Sequence, residues 1–248
     1  MACQNGHAEV VSVLLDNARD TIDVNLATTD DGSTPLLMAC QDGRAEVVSL
    51  LLDKARDTIK VNKASTKHGC TPLWMACNKG HADVVSLLLK KSRDSIDANR
   101  ARTDGEARGA TPLFIACHHG HFEVVSVLLN EALDIIDVNQ VRTDDESTPL
   151  YMACSNGHAN VVSLLLEKAR GKIDINQVEK TNGVTPLLLA CQNGDADVVS
   201  LRAAGQCPQH RRQSCDSQPR VHTTVHDGLS ERSRRGGFAA VGQSPGRH

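Results

Sequence analysis

The chain has 248 residues, 40% hydrophobic and 23% charged but only 2% aromatic, enough for one or two domains yet poor in the large side chains that anchor a single globular core. No run of about 18 apolar residues occurs and no basic-then-apolar leader opens the chain, so the expectation is a soluble intracellular protein that does not engage a membrane, cytoplasmic with a nuclear placement left open. The net charge of −3 hides an asymmetry: residues 1–201 hold 19 basic against 27 acidic side chains, while residues 202–248 hold eight Arg, no Lys and three acids.

Self-similarity organises the rest. Met1-Ala2-Cys3-Gln4-Asn5-Gly6-His7 aligns with Met38-Ala39-Cys40-Gln41-Asp42-Gly43-Arg44, which makes Met1 the counterpart of an internal methionine and starts the chain half-way through a helix. Thr-Pro-Leu then recurs from 34, 71, 111, 148 and 185, at intervals of 37, 40, 37 and 37 residues, and seven residues after each Leu stands Gly43, Gly80, Gly120, Gly157 or Gly194. Thr34 is a good N-cap and Pro35 suits the first helical position, so a helix is predicted from there to Gly43. A second helix follows, its stripe of Val47, Val48, Leu50, Leu51 and Leu52 too wide for one neighbour and therefore set between units. Small Ala39 and Cys40 let the pair approach closely, and Asp30-Asp31-Gly32 supplies a turn between units. Of nine cysteines, Cys3, Cys40, Cys77, Cys117, Cys154 and Cys191 share one repeat position, which fits reduced, buried thiols better than a disulfide framework.

The pattern resembles the ankyrin repeat, whose consensus Gly69-Cys70-Thr71-Pro72-Leu73-Trp74-Met75-Ala76-Cys77-Asn78-Lys79-Gly80-His81 follows nearly residue for residue. The resemblance implies an all-α solenoid of stacked helix-turn-helix units with connecting turns, about six over residues 1–201, the first and last incomplete. Three departures stand out. The usual period is about 33 residues, so the added stretch Ala18 to Asn25 and its equivalents predict longer outer helices or a longer connector. Glu146 replaces the turn glycine of Gly32, Gly69, Gly109 and Gly183, predicting a strained or re-routed turn, and residues 103–110 carry a loop extension.

Beyond Leu201 the expected leucines give way to Arg, Ser, Gln, Gly and His. At face value this is a disordered basic tail. Yet the codons available to Gly228 through Val241, advanced by one nucleotide, permit Ala-Cys-Gln-Asn-Gly-His-Ala-Glu-Val-Val-Ser-Leu-Leu-Leu, another helix pair of the same repeat. The segment 202–248 is accordingly read as an out-of-frame rendering of a further unit.

For function, the resemblance implies partner contacts from turn tips and from first helices lining a concave surface. The residues after each Ala-Cys pair vary while the framework does not, and Asn78, Lys79, His118, His119, Ser155 and Asn156 in the central units are the candidate contacts. Trp74, Phe114 and Tyr151 share one repeat position, read first as packing between units and second as anchors for a partner. His118, His119 and His121 form a His-rich cluster without carboxylates or thiols at ligand spacing, so no metal is expected. No nucleophile elbow, phosphate loop or kinase signature appears, and no catalysis, cofactor or nucleic-acid partner is predicted. The expected function is a monomeric scaffold or adaptor that binds a protein or peptide; the alternative is the regulatory array of a larger enzyme, channel or ubiquitin-ligase subunit.

Overall fold

The computed structural model describes residues 1–18 and 21–194, all within the first of two units, Met1–Gln206 and Cys207–His248. The segment 202–248, with Cys207 and Cys215, lies outside the described residues. In chain order the helices are α1 (Ala2–Asn5), α2 (Ala8–Asn17), α3 (Pro35–Gln41), α4 (Ala45–Lys54), α5 (Pro72–Lys79), α6 (Ala82–Lys91), α7 (Pro112–His119), α8 (Phe122–Glu131), α9 (Pro149–Ser155), α10 (Ala159–Lys168) and α11 (Pro186–Asn193). No strand occurs among the described residues. The odd-numbered helices stack on one another as an inner layer, the even-numbered as an outer layer, and each inner helix also packs on the outer helix that follows it through α10.

Local chemistry starts each inner helix. The Thr34 hydroxyl accepts the Leu37 N–H at 3.2 Å, and Thr71, Thr111, Thr148 and Thr185 repeat the bond to Trp74, Phe114, Tyr151 and Leu188 at 3.1–3.3 Å, with proline next in line where no N–H is needed. The outer helices start differently. The residues just before α6, α8 and α10 make no side-chain cap and instead reach back to the preceding unit: His81, His121 and His158 donate through Nε2 to the carbonyls of Gln41, Asn78 and His118 at 3.1–3.2 Å. Arg44, at the same repeat position, makes the equivalent bond from Nε to Gln4 O at 3.0 Å. The ring lies against the previous unit's turn glycine. A Cβ on Gly120, whose φ is 69°, would stand 2.5 Å from the His158 ring, so conformation and space both require glycine.

The core is the predicted one except at Leu50, which is only partly buried. Val47, Val48, Leu51 and Leu52 of α4 are buried, as are Val84, Val85, Leu88 and Leu89 of α6 and Val124, Val125, Leu128 and Leu129 of α8. Ala39 and Cys40, with their equivalents Ala76, Cys77, Ala116 and Cys117, are wholly enclosed where the layers meet. Two thiols depart from the expectation of uniform burial: Cys3 is half-buried and Cys191 exposed. Both sit on terminal helices, α1 and α11, which stack against a single inner neighbour, α3 and α9 respectively.

The long period resides in the connectors, since α2, α4, α6, α8 and α10 have only ten residues each. What holds these connectors is an asparagine ladder. Asn25 donates from Nδ2 to Thr58 O at 2.8 Å and accepts the Lys60 N–H at Oδ1 at 2.7 Å. Asn62 clamps Ser95 and Asp97, Asn99 clamps Ile135 and Asp137, and Asn139 clamps Lys172 and Asp174 in the same way. The carboxylates of Asp23, Asp97 and Asp137 accept the N–H of the asparagine two residues on, which sets its orientation. Each connector ends in a tight turn, and Glu146 does take the left-handed conformation there, with φ 57°. In the extension at 103–110, Gly105 and Gly109 both have φ 77°.

Candidate partner-binding face

The C-terminal ends of α5, α7 and α9 lie side by side, and the six polar residues singled out by the repeat alignment form one strip across them. On α5, Asn78 is half-buried and Lys79 exposed; on α7, His118 is half-buried and His119 exposed; at the end of α9, Ser155 is half-buried and Asn156 exposed. Hydrogen bonds across units stitch the strip. His119 Nε2 donates to Asn78 Oδ1 at 3.1 Å. The Asn156 amide donates to the His118 carbonyl at 2.8 Å and approaches His118 Nδ1 at 3.2 Å. Beyond it, Asn193 Nδ2 reaches the Ser155 carbonyl at 3.1 Å.

These bonds assign a role to one nitrogen of each ring as well as a position. His118 Nδ1 faces an N–H donor and so carries its lone pair, while His119 gives its Nε2 proton to Asn78. Partial burial lowers the pKa of both imidazoles. Arg142 and His158 lower that of His118 further, and His118, His121, His158 and Lys79 that of His119. The rings meet edge-on or tilted: centroids of His118 and His119 are 4.8 Å apart at 73°, those of His119 and His121 5.6 Å apart at 38°. They do not converge on one point, and among the described residues no group of three or more His, Cys, Asp or Glu is placed to hold a metal ion.

The aromatic column is set apart from this strip. Trp74 and Phe114 are each only 2% exposed, so neither ring is available to a partner from solution. Trp74 Nε1 donates to Ala110 O at 2.9 Å, pinning the next unit's turn. The Arg102 guanidinium lies 5.1 Å from the Trp74 centroid and that of Arg142 5.7 Å from Phe114, cation–π contacts again made from the next unit. Tyr151 is half-buried, and burial with nearby Glu179 and Asp145 raises its hydroxyl pKa. Sequence inspection missed the two arginines, although Arg102 and Arg142 stand at one repeat position and follow Trp74 and Phe114 by one unit.

This architecture is matched by known proteins. The family model described as "Ankyrin repeats (3 copies)" matches residues 1–65, 58–140 and 133–208. The crystal structure of EF0377, an ankyrin repeat protein, is similar with a TM-score of 0.70 at 22% identity, covering 83% of this chain and 96% of that one. The human ASB11 ankyrin repeat domain is similar with a TM-score of 0.62 at 25% identity, over 86% of this chain and 85% of that one. No curated protein matches the chain in sequence. With the repeat signature, the stacked helix pairs and a family match running almost unbroken from the first residue, the chain belongs to the ankyrin repeat family.

Proposed function

We propose that the array is a scaffold or adaptor that binds a partner protein or peptide along the strip of Asn78, Lys79, His118, His119, Ser155 and Asn156, acting as a monomer in the cytoplasm and carrying out no catalysis. One observation supports this reading above others: residues that vary from unit to unit form a polar strip over three central units, cross-linked by bonds from His119 to Asn78 and from Asn156 to His118, on a repeating frame. A surface already ordered loses little side-chain freedom on binding. Trp74 and Phe114 contribute by holding the neighbouring turns, and Tyr151 is the one aromatic of the column with accessible surface.

Affinity capture with the full chain tests the proposal. Changing His118 and His119 together to Ala is expected to weaken the captured partner about tenfold or more without loss of helix signal, since central interface residues can exceed about 1 kcal/mol each. Unchanged capture by that variant, with loss on altering Ser33, Gln41 and Asp42, would move the site toward the N-terminal units. We further propose that residues 1–201 are the array and that 202–248 is a frame-shifted rendering of another unit. Sequencing the transcript across this stretch decides it: a message that encodes 202–248 as written, with no one-nucleotide discrepancy, overturns that reading.

A further inference from the structure

The strip's chemistry specifies more than its location. The charged or ionisable groups that act most strongly on the His118 and His119 rings are basic. Lys79 comes from α5, His121 from the start of α8, His158 from the turn into α10, and Arg142, itself paired to Asp145, from the connector. The carboxylates of neighbouring elements are Asp83 in the first turn of α6 and Glu123 in that of α8, and the strip itself holds none. The remaining neighbours are the amides of Asn78, which accepts from His119 Nε2 at 3.1 Å, and of Asn156, whose N–H faces His118 Nδ1 at 3.2 Å and opposes a proton there.

Resting on the partner-binding reading above, we infer that this strip takes an acidic peptide and that the binding is proton-linked, tightening as pH falls. A proton taken from solvent by His118 Nδ1 sets that nitrogen against the Asn156 Nδ2–H. The amide cannot simply flip to accept it, because its Nδ2 also serves the His118 carbonyl at 2.8 Å. The free array therefore resists protonation. A carboxylate laid across Lys79, His118 and His119 supplies the counter-charge that the six residues of the strip lack, so peptide and proton each favour the other, and by linkage the coupling is reciprocal. Above the histidine range Lys79 is the strip's one full positive charge, and binding is weak.

The test uses the full chain and a fluorescein-labelled peptide of alternating Asp and Ser, whose carboxylates titrate near about 3.9 and stay ionised throughout. An Asn–Ser peptide serves as control. Affinity measured by anisotropy is expected to be at least about tenfold tighter at about pH 5.5 than at about pH 7.5, and the control peptide is expected not to bind. His118→Gln with His119→Gln should reduce the pH dependence to less than about twofold. Lys79→Gln should weaken binding at both pH values while leaving its slope intact. The arginines and histidines of residues 202–248 and the other histidines of the array are unchanged in all variants, so pH-dependent binding that survives the double substitution belongs to groups other than His118 and His119 and overturns the proposal. So does equal affinity at both pH values, no binding at either, or loss of the far-UV helix signal before affinity rises. Capture of a non-acidic partner that needs His118 and His119 would leave the binding face standing while sinking this inference; acidic-peptide binding that ignores the strip would sink both.

Discussion

A thiol enclosed where the two helix layers meet has no water to stabilise its anion. Burial pushes the thiols of Cys40, Cys77 and Cys117 well above their ordinary range. With a thiol reagent under native conditions, Cys117 is expected to label at least about a hundredfold more slowly than exposed Cys191, because labelling must wait for local opening. Timed quenching followed by peptide mass spectrometry reads this directly, and fast modification of Cys117 would contradict its placement. The turn glycines offer a second residue-level test. Gly109 and Gly183 have φ of 77° and 64°, but a Cβ on Gly109 would meet the Thr143 backbone nitrogen at 2.5 Å whereas one on Gly183 meets nothing within 4 Å. Gly183→Ala should therefore cost about 1–2 kcal/mol for conformation alone, and Gly109→Ala at least about 1 kcal/mol more for the clash with the next unit. Equal losses in denaturant titrations would mean that the neighbouring turn yields freely. Position 146 shows how the same constraint is met with a side chain present: where Glu146 replaces glycine, Lys180 replaces the threonine of the following turn, and the two pair at 2.8 Å.

Between outer helices the same compensation recurs. Lys54 of α4 reaches Ser12 and Asp16 of α2 at 2.8 and 2.5 Å, and Lys91 of α6 reaches Ser49 and Asp53 of α4 at the same distances. One step further the charges invert: Glu131 of α8 accepts from Ser86 at 2.9 Å and pairs with Lys90 at 3.0 Å. The prediction is that Lys90→Glu and Glu131→Lys each destabilise the array, while the double exchange recovers about 0.5–1 kcal/mol of coupling in a double-mutant cycle, the scale of a partly exposed pair. Additive losses would show that the rung carries no net energy. These rungs also mark how far the sequence could be read. Helix pairs, threonine caps and glycine turns were legible because they depend on spacing within one unit. The Asn25 ladder, the His81-type bonds and the serine–lysine rungs were not, because each donor's partner lies about one period away and becomes apparent only when units are laid over one another. For the candidate face, alignment placed the six polar residues on adjacent units but gave no sign of the bonds that join them. It marked the Trp74 column and put packing between units first, which the burial of Trp74 and Phe114 bears out.

Across the whole array stability is expected to be graded, because a solenoid's stability is roughly a sum of unit and interface terms. In α4 and α6, Val47, Leu51, Val84 and Leu88 are covered on both flanks, whereas the equivalent Val10 and Leu14 of α2 are 50% and 45% exposed. A leucine already half in water loses less when truncated. Leu128, fully buried in α8, should cost about 2–4 kcal/mol on replacement by Ala, combining lost transfer energy with the cavity left behind. Leu14→Ala should cost about 1 kcal/mol or less, in proportion to the apolar area that it removes from contact. Native-state hydrogen exchange supplies the independent reading: amides of α6 and α8 should exchange slowest and those of α2 fastest, and Leu128→Ala should accelerate the central helices while Leu14→Ala leaves them unchanged. The gradient bears on the proposed binding, since the strip on α5, α7 and α9 sits on units with neighbours on both sides, where its side chains are expected to be held most firmly. If both substitutions cost the same and every helix exchanges at one rate, the array unfolds as a single block, and the rigidity of the binding face owes nothing to its central position.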